Sequence, residues 1–189
     1  MARPRLVDDE TILDATRRVL AEAGPAKLTL AAVSARVGLA PPTLMQRFGN
    51  KRGLLLASAA RSPQLVLRAA ATAEAAHTSP LAILRDFAQL GDGLGFGRLD
   101  IADPEFREHA LAHSAAIVNS CARFYRAAVE AGELRAETDV PALARHTLVC
   151  FNGALQVWAV NGWGSLATFL SEQLELLLAS YLSKTPPVH

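Results

Sequence analysis

The stretch Leu39 to Leu55, LAPPTLMQRFGNKRGLL, constrains this chain more than any other. It holds a helix of about two turns, opened by two prolines and too short to persist alone in water. Such a helix forms only where its neighbours hold it. Leu44 and Phe48 are four residues apart, so they share one face, and that face is the anchor. The other faces are mixed, and Arg47, Lys51 and Arg52 lie in the helix or just after it.

The preceding residues supply the neighbours. Ile12, Ala15, Thr16, Val19, Leu20 and Ala23 recur at helical spacing. Asp8, Asp9 and Glu10 stand at the start, where the helix dipole favours negative charge. Gly24-Pro25 predicts the end of this first helix. Thr29 can cap a second, in which Leu30, Val33 and Val37 share a face. Gly38 ends it and gives the backbone freedom of a tight turn. Helix, helix, glycine turn and helix in succession match the helix-turn-helix plan, in which the helix after the turn lies in the DNA major groove. Proline is tolerated in a first turn, whose N–H groups have no partner within the helix. The residue before a proline avoids the helical region, which favours Pro42 as the first helical residue with Pro41 outside.

Charge agrees with that plan. Residues 1–53 carry nine Lys and Arg against five acids, whereas the rest carries ten against thirteen. A basic front on an acidic body predicts that the front meets a polyanion.

Beyond Asn50 the helices lengthen. One spans 51–76 with a break at Pro63, and Ser79-Pro80 opens another that runs to about residue 90. After the glycine-rich connection GDGLGFGRLD, Asp103-Pro104 starts a helical region to Glu130. Pro141 opens a helix towards Trp158, closed by Asn161-Gly162. The last runs from Ser165 to Leu182, before the tail KTPPVH. The expectation is an all-α protein of about nine helices. Residues 1–53 would form a three-helix DNA-binding domain and 54–189 a helical effector-binding and dimerisation domain.

Several function classes fall away. Cys121 and Cys150 are far apart, in neither a zinc spacing nor a CxxC, and read as buried thiols of a reducing compartment. The N-terminus lacks the apolar centre of a signal peptide, and no apolar run is long enough to span a bilayer. The chain therefore reads as cytoplasmic, with no membrane partner. His109 and His113, four apart and close to Glu105 and Glu108, have the spacing of a metal pair. The HExxH order is absent, however, and no third ligand is evident. GDGLGFG does not fit GxGxxG and follows a helix rather than a strand. No nucleophile–base pair can be read, so neither enzyme chemistry nor a cofactor nor a metal is expected. A helical protein-interaction module is the alternative, with a metal-dependent enzyme using His109 and His113 behind it.

The block Asp9 to Leu55 resembles the DNA-binding domain of the tetracycline-repressor (TetR) family of transcriptional regulators. The resemblance rests on ILDATRRVLAEAG followed by LTLAAVSARVGLAPPTLMQRFGNKRGLL. Within these stand the turn glycine Gly38, the pair Thr43-Leu44, Phe48, and Lys51 and Leu54 of a Lys-x-x-Leu. Two positions depart from the family pattern: Met45 stands where tyrosine is usual, and Arg47 where histidine is usual. The tyrosine usually bonds a DNA phosphate, a role Arg47 is expected to take over in part. The family alignment starts the third helix at Pro41, one residue before the proline argument does, and the two remain open.

The resemblance implies a homodimeric, ligand-responsive repressor that binds a double-stranded DNA operator and is released by a small-molecule effector. The candidate DNA contacts are Arg3 and Arg5 in a basic arm, then Thr29, Pro42, Thr43, Met45, Gln46, Arg47 and Lys51. Gln and Arg match adenine and guanine edges, Met45 and Pro42 suit thymine methyls, and Lys51 suits phosphate. The candidate effector wall is Phe87, Leu90, Phe106, Ile117, Cys121, Phe124 and Phe151, with His113 and Asn152 as polar groups. An apolar wall of this kind takes a hydrophobic or amphipathic molecule. The candidate dimer surface is Leu148, Leu155 and Trp158 on one helix. On the last helix it is Leu166, Leu170, Gln173, Leu174, Leu177 and Tyr181. One of these stripes must cover the protomer's own core, and periodicity does not say which.

Overall fold

The structure is a computed structural model and describes residues 7–89 and 102–183, except the side chains of 21–26. Among the described residues there are nine helices. These are α1 Asp9–Lys27, α2 Leu30–Val37, α3 Pro41–Phe48, α4 Lys51–Ala60, α5 Ser62–Ala76, α6 Pro80–Gln89, α7 Pro104–Glu130, α8 Val140–Asn161 and α9 Leu166–Leu178. An isolated antiparallel bridge pairs Leu134 with Leu182.

The helix starts follow local chemistry. Asp8 accepts from the Thr11 N–H at 2.8 Å, Thr29 Oγ1 from Ala32 at 3.0 Å and Asn50 Oδ1 from Gly53 at 3.0 Å. Asp139 caps α8 through Ala142 at 3.0 Å, and Ser165 caps α9 through Thr168 at 3.1 Å. Each such cap contributes about 1 kcal/mol. Helix α3 is different. Its N-cap is Ala40, which offers no side-chain bond, and its first two residues are prolines. Ala40 takes the extended backbone that the residue before a proline prefers. Pro41 is thus the first helical residue, and it accepts the local restriction imposed by Pro42.

Two helix ends differ from the sequence expectation. Helix α1 continues through Gly24-Pro25 to Lys27. Pro25 costs the helix one N–H bond, and tertiary packing offsets it: Leu28, fully buried just beyond, dictates where the chain must arrive. Helix α9 stops at Leu178 rather than Leu182. Arg135 N–H donates to the Tyr181 carbonyl at 3.0 Å and Ser183 N–H to the Glu133 carbonyl at 3.1 Å, which draws the chain off the helical path. The break expected near Pro63 falls at Arg61, between α4 and α5. Helix α7 has no interruption. The connection GDGLGFGRLD and the tail KTPPVH lie outside the described residues.

The helices form two compact units. The first takes residues 7–62 together with 102–110, and the second takes 63–89 and 111–183. The first therefore runs past residue 53 and includes the start of α7. The reason is visible in its core. Leu54, Leu55, Ala59 and Phe106 join Ile12, Leu13, Val19, Leu28, Val33 and Leu44 in one buried cluster. The second unit has a larger core, in which Val66, Leu81, Leu84, Phe87, Ile117, Cys121, Phe124, Tyr125, Leu143, Leu174 and Leu178 pack together.

Candidate nucleic-acid interface

The interface is built by α2, its turn and α3. Gly38 adopts φ +68°, a left-handed conformation that suits glycine, and its N–H donates to Ser34. Leu39 N–H donates to the same carbonyl at 3.0 Å, so both bonds shape the turn. Leu44 is fully buried and Phe48 packs beside it, which seats one face of α3 on the core. Pro41, Pro42, Met45 and Gln46 are exposed, and Thr43 is half-buried.

Arg47 behaves differently from expectation. Its Nη1 donates to the Val7 carbonyl at 2.6 Å and to the Asp9 carboxylate at 3.3 Å. It ties the start of α1 to the last turn of α3, rather than projecting with Met45 and Gln46. The reason is reach. A long guanidinium stem on the flank of α3 reaches the Val7 carbonyl and the Asp9 carboxylate there, and donates charge-assisted hydrogen bonds to them.

Other cations of this unit are also engaged. Arg52 donates to Asp103 through Nε at 3.0 Å and Nη2 at 2.7 Å, pairs with Glu105 at 2.7 Å, and lies 5.7 Å from the Phe106 ring centre. The Arg52 hydrogen bond holds the Asp103 carboxyl below its ordinary value, and the two acids raise the guanidinium. Arg61 bonds Glu10 at 2.6 Å and approaches Asp14 at 3.7 Å. Lys51, half-buried, is the first residue of α4, and Thr29 is exposed with its Oγ1 already accepting at the α2 start. Arg3 and Arg5 lie outside the described residues.

Gly53 was not singled out in the sequence, although it is needed here. A Cβ at this position would collide with the Phe48 carbonyl oxygen, so α3 and α4 meet only because the residue is glycine. The available signal was a glycine in the first turn of a helix, where propensity argues against it.

In the second unit, Phe87 and Phe124 pack edge to face at 5.7 Å, with Ile117 and Cys121 in the same core. Burial pushes the Cys121 thiol up to about 12, so it is neutral. His113 is buried and Phe151 half-buried against the core, but Asn152 is exposed and does not line it. Phe106 belongs to the first unit's core. Leu90 lies outside the described residues. Tyr125, also overlooked, is fully buried with its hydroxyl 2.7 Å from Thr147 Oγ1. Thr147 spends its own proton on the Leu143 carbonyl at 2.9 Å, so Tyr125 is the donor. Burial raises the phenol above its ordinary value.

The two apolar stripes are now resolved. Leu170 and Leu174 of α9 are buried inside the protomer, while Leu148, Leu177 and Tyr181 are half-buried against its core. Leu155, Trp158, Leu166 and Gln173 are half-buried, and Trp158 Nε1 donates to the Gly164 carbonyl at 3.2 Å. From α8 to the end of α9, the large apolar side chains left exposed are others: Val149 at 67%, Val157, Val160 at 84%, Trp163, and Leu176 at 72%. Val149, Gly153, Val157 and Val160 fall on one side of α8, and Leu176 lies opposite the buried leucines of α9.

Among the described residues, no three His, Cys, Asp or Glu side chains converge as metal ligands. His109 is half-buried on α7. No described helix is long and apolar enough to cross a membrane.

Residues 12–58 match the sequence model of the family described as bacterial regulatory proteins, tetR family. No curated protein matches the chain. Solved structures do. SmeT, repressor of the Stenotrophomonas maltophilia multidrug efflux pump SmeDEF, is 23% identical over 97% of this chain and 94% of its own, with a TM-score of 0.65. The SmeT–triclosan complex is 22% identical over 96% and 95%, with a TM-score of 0.67. The regulatory protein TetR from Rhodobacter sphaeroides is 19% identical over 92% and 98%, with a TM-score of 0.73. At these identities the likeness shows a shared fold.

Proposed function

We propose, from the premise that residues 12–58 make this chain a member of the tetR family of bacterial regulatory proteins, that it is a DNA-binding transcriptional regulator acting as a ligand-released repressor. One observation carries the reading. Buried Leu44 seats α3 after the Gly38 turn, so that Pro42, Met45 and Gln46 face outward. This is the arrangement by which a second helix enters a major groove. Lys51 at the α4 start and Thr29 at the α2 start are the candidate phosphate contacts, with Arg3 and Arg5 earlier in the chain. Thr43, half-buried on the same helix, is a further candidate contact.

The second unit supports the ligand. Phe87, Phe124, Ile117 and Cys121 supply apolar lining, and His113 a buried polar group. That composition suits a hydrophobic or amphipathic molecule. The complex of SmeT with triclosan supports the same kind of response here. Two copies pair in this reading through Val149, Val157, Val160 and Leu176, apolar surface that one protomer leaves in water. The pair would bind a near-palindromic operator in the cytoplasm.

The test is capture of fragmented genomic DNA by the full chain at physiological salt, with and without a panel of hydrophobic ligands that includes triclosan. A near-palindromic site should be enriched, and one ligand class should release it. Sedimentation should report a dimer that Leu176→Glu converts to monomer. Failure to enrich any sequence, with or without ligands, ends the regulator reading.

A further inference from the structure

The exposed face of α3 carries no projecting charge. Met45 is 59% exposed, Gln46 is exposed beside it, and Pro41 and Pro42 precede them. The helix has one cation, Arg47, and its Nη1 is held by the Val7 carbonyl at 2.6 Å and by Asp9 at 3.3 Å. The two prolines bring no N–H to the helix start, and the Thr43 N–H is spent on the Ala40 carbonyl at 2.9 Å. The exposed groups with base-reading chemistry are therefore a polarisable thioether and a carboxamide, with the Thr43 hydroxyl half-buried beside them.

Each group has a limited set of partners in a major groove. The apolar feature there is the thymine 5-methyl, and a carboxamide matches the N6 and N7 edge of adenine. Guanine is matched best by a free guanidinium or ammonium, and cytosine by a carboxylate, neither of which α3 extends. A thioether adapts its shape to a methyl and gains dispersion contact with it. Neighbouring side chains on a helix diverge, so Met45 and Gln46 meet adjacent groups rather than one shared base.

We infer that Met45 and Gln46 form the reading pair, with Met45 against a thymine methyl and Gln46 on an adenine edge. The recognised half-site is then centred on T·A pairs, and Arg47 is a positioning residue that holds α3 against α1. The inference rests on the DNA-binding reading above and specifies its sequence class.

The experiment enriches binding sites from random duplexes with the full chain. It then replaces each thymine of the selected half-site singly by deoxyuridine, which deletes only the methyl. One replacement should weaken binding about fourfold, the worth of one buried carbon group. Met45→Ala, a change at an exposed position, should bind the thymine and uracil duplexes alike. Gln46→Ala should lose the adenine preference at an adjacent pair. Arg47→Ala should keep the salt dependence of wild type. The inference is overturned if no uracil replacement matters, or if Met45→Ala discriminates as wild type does. A salt slope lower by about one unit in Arg47→Ala would return that residue to phosphate and overturn its positioning role. Enrichment of no sequence at all would instead remove the DNA-binding reading on which the inference stands.

Discussion

The two units are held together in different ways. In the first, one 19-residue helix, α1, is joined by three helices of eight to ten residues, and the third helix of the unit, α3, contributes only Leu44 as a fully buried anchor. Charged ties supplement them: Arg47 to Asp9, Arg61 to Glu10, and Arg52 to Asp103 and Glu105. In the second, α8 runs for 22 residues and α9 for 13, and their leucines enter a broad apolar core. Ion pairs such as Arg85–Glu175 and Arg123–Glu74 lie at its surface. The difference teaches that a thin core must be specified residue by residue, whereas a broad one tolerates exchange of which face points inward.

The strongest test of that contrast is Leu44→Ala. Removal of a buried leucine costs roughly 2–5 kcal/mol, and the upper end is expected because α3 has no second buried anchor with which to fill the space. Denaturant unfolding checks it against Leu170→Ala, where α9 keeps Leu174 and Leu178. A smaller loss at Leu44 than at Leu170 would break the comparison.

Gly53→Ala should follow, at about 1–3 kcal/mol, because the added carbon meets the rigid backbone of Phe48 rather than a side chain that can turn away. A midpoint equal to wild type would mean that α3 and α4 can separate freely. Tyr125→Phe tests the second unit. Loss of the hydroxyl bond to Thr147 should cost about 1 kcal/mol in the same measurement, since the surrounding packing survives. A loss as large as that of Leu44→Ala would show that this core, too, depends on single ties.

The smallest effect is expected at Arg52→Ala, and it depends on pH. Arg52 holds the folded Asp103 carboxyl below the ordinary 3.8. The folded chain thus binds fewer protons than the unfolded one, and the stability this confers is present above about pH 4. It is lost as pH falls through the lowered folded value. Arg52→Ala should therefore unfold at a slightly higher pH in an acid titration, with little change at neutral pH. An unchanged acid midpoint would show that the Arg52–Asp103 pair contributes nothing to the first unit.

Legibility followed the same division. The helix starts near Asp8 and Ser165, the cap Thr29, the turn at Gly38 and the anchor Leu44 were readable because each acts through neighbours within four residues. The contacts of Arg47 were not legible because its partners stand 38 and 40 residues away. The place of Phe106 in the first unit's core was hidden for the same reason, since the α1 and α4 members of that cluster are remote in sequence. Which stripe of α9 turns inward was not legible, because the helix is apolar on several sides and periodicity alone cannot rank its faces; packing buries Leu170 and Leu174.

By itself, then, the sequence determined the helical class, most helix boundaries and the frame that puts Met45 and Gln46 outside the Leu44 anchor. Those features depend on backbone hydrogen bonds and spacings that one helix carries within itself. Only the tertiary structure decided that Arg47 turns back to α1, that Gly53 lets α3 meet α4, and which leucines of α9 face inward. Each of these is a choice between partners distant along the chain, made by what fills the space once the helices have packed.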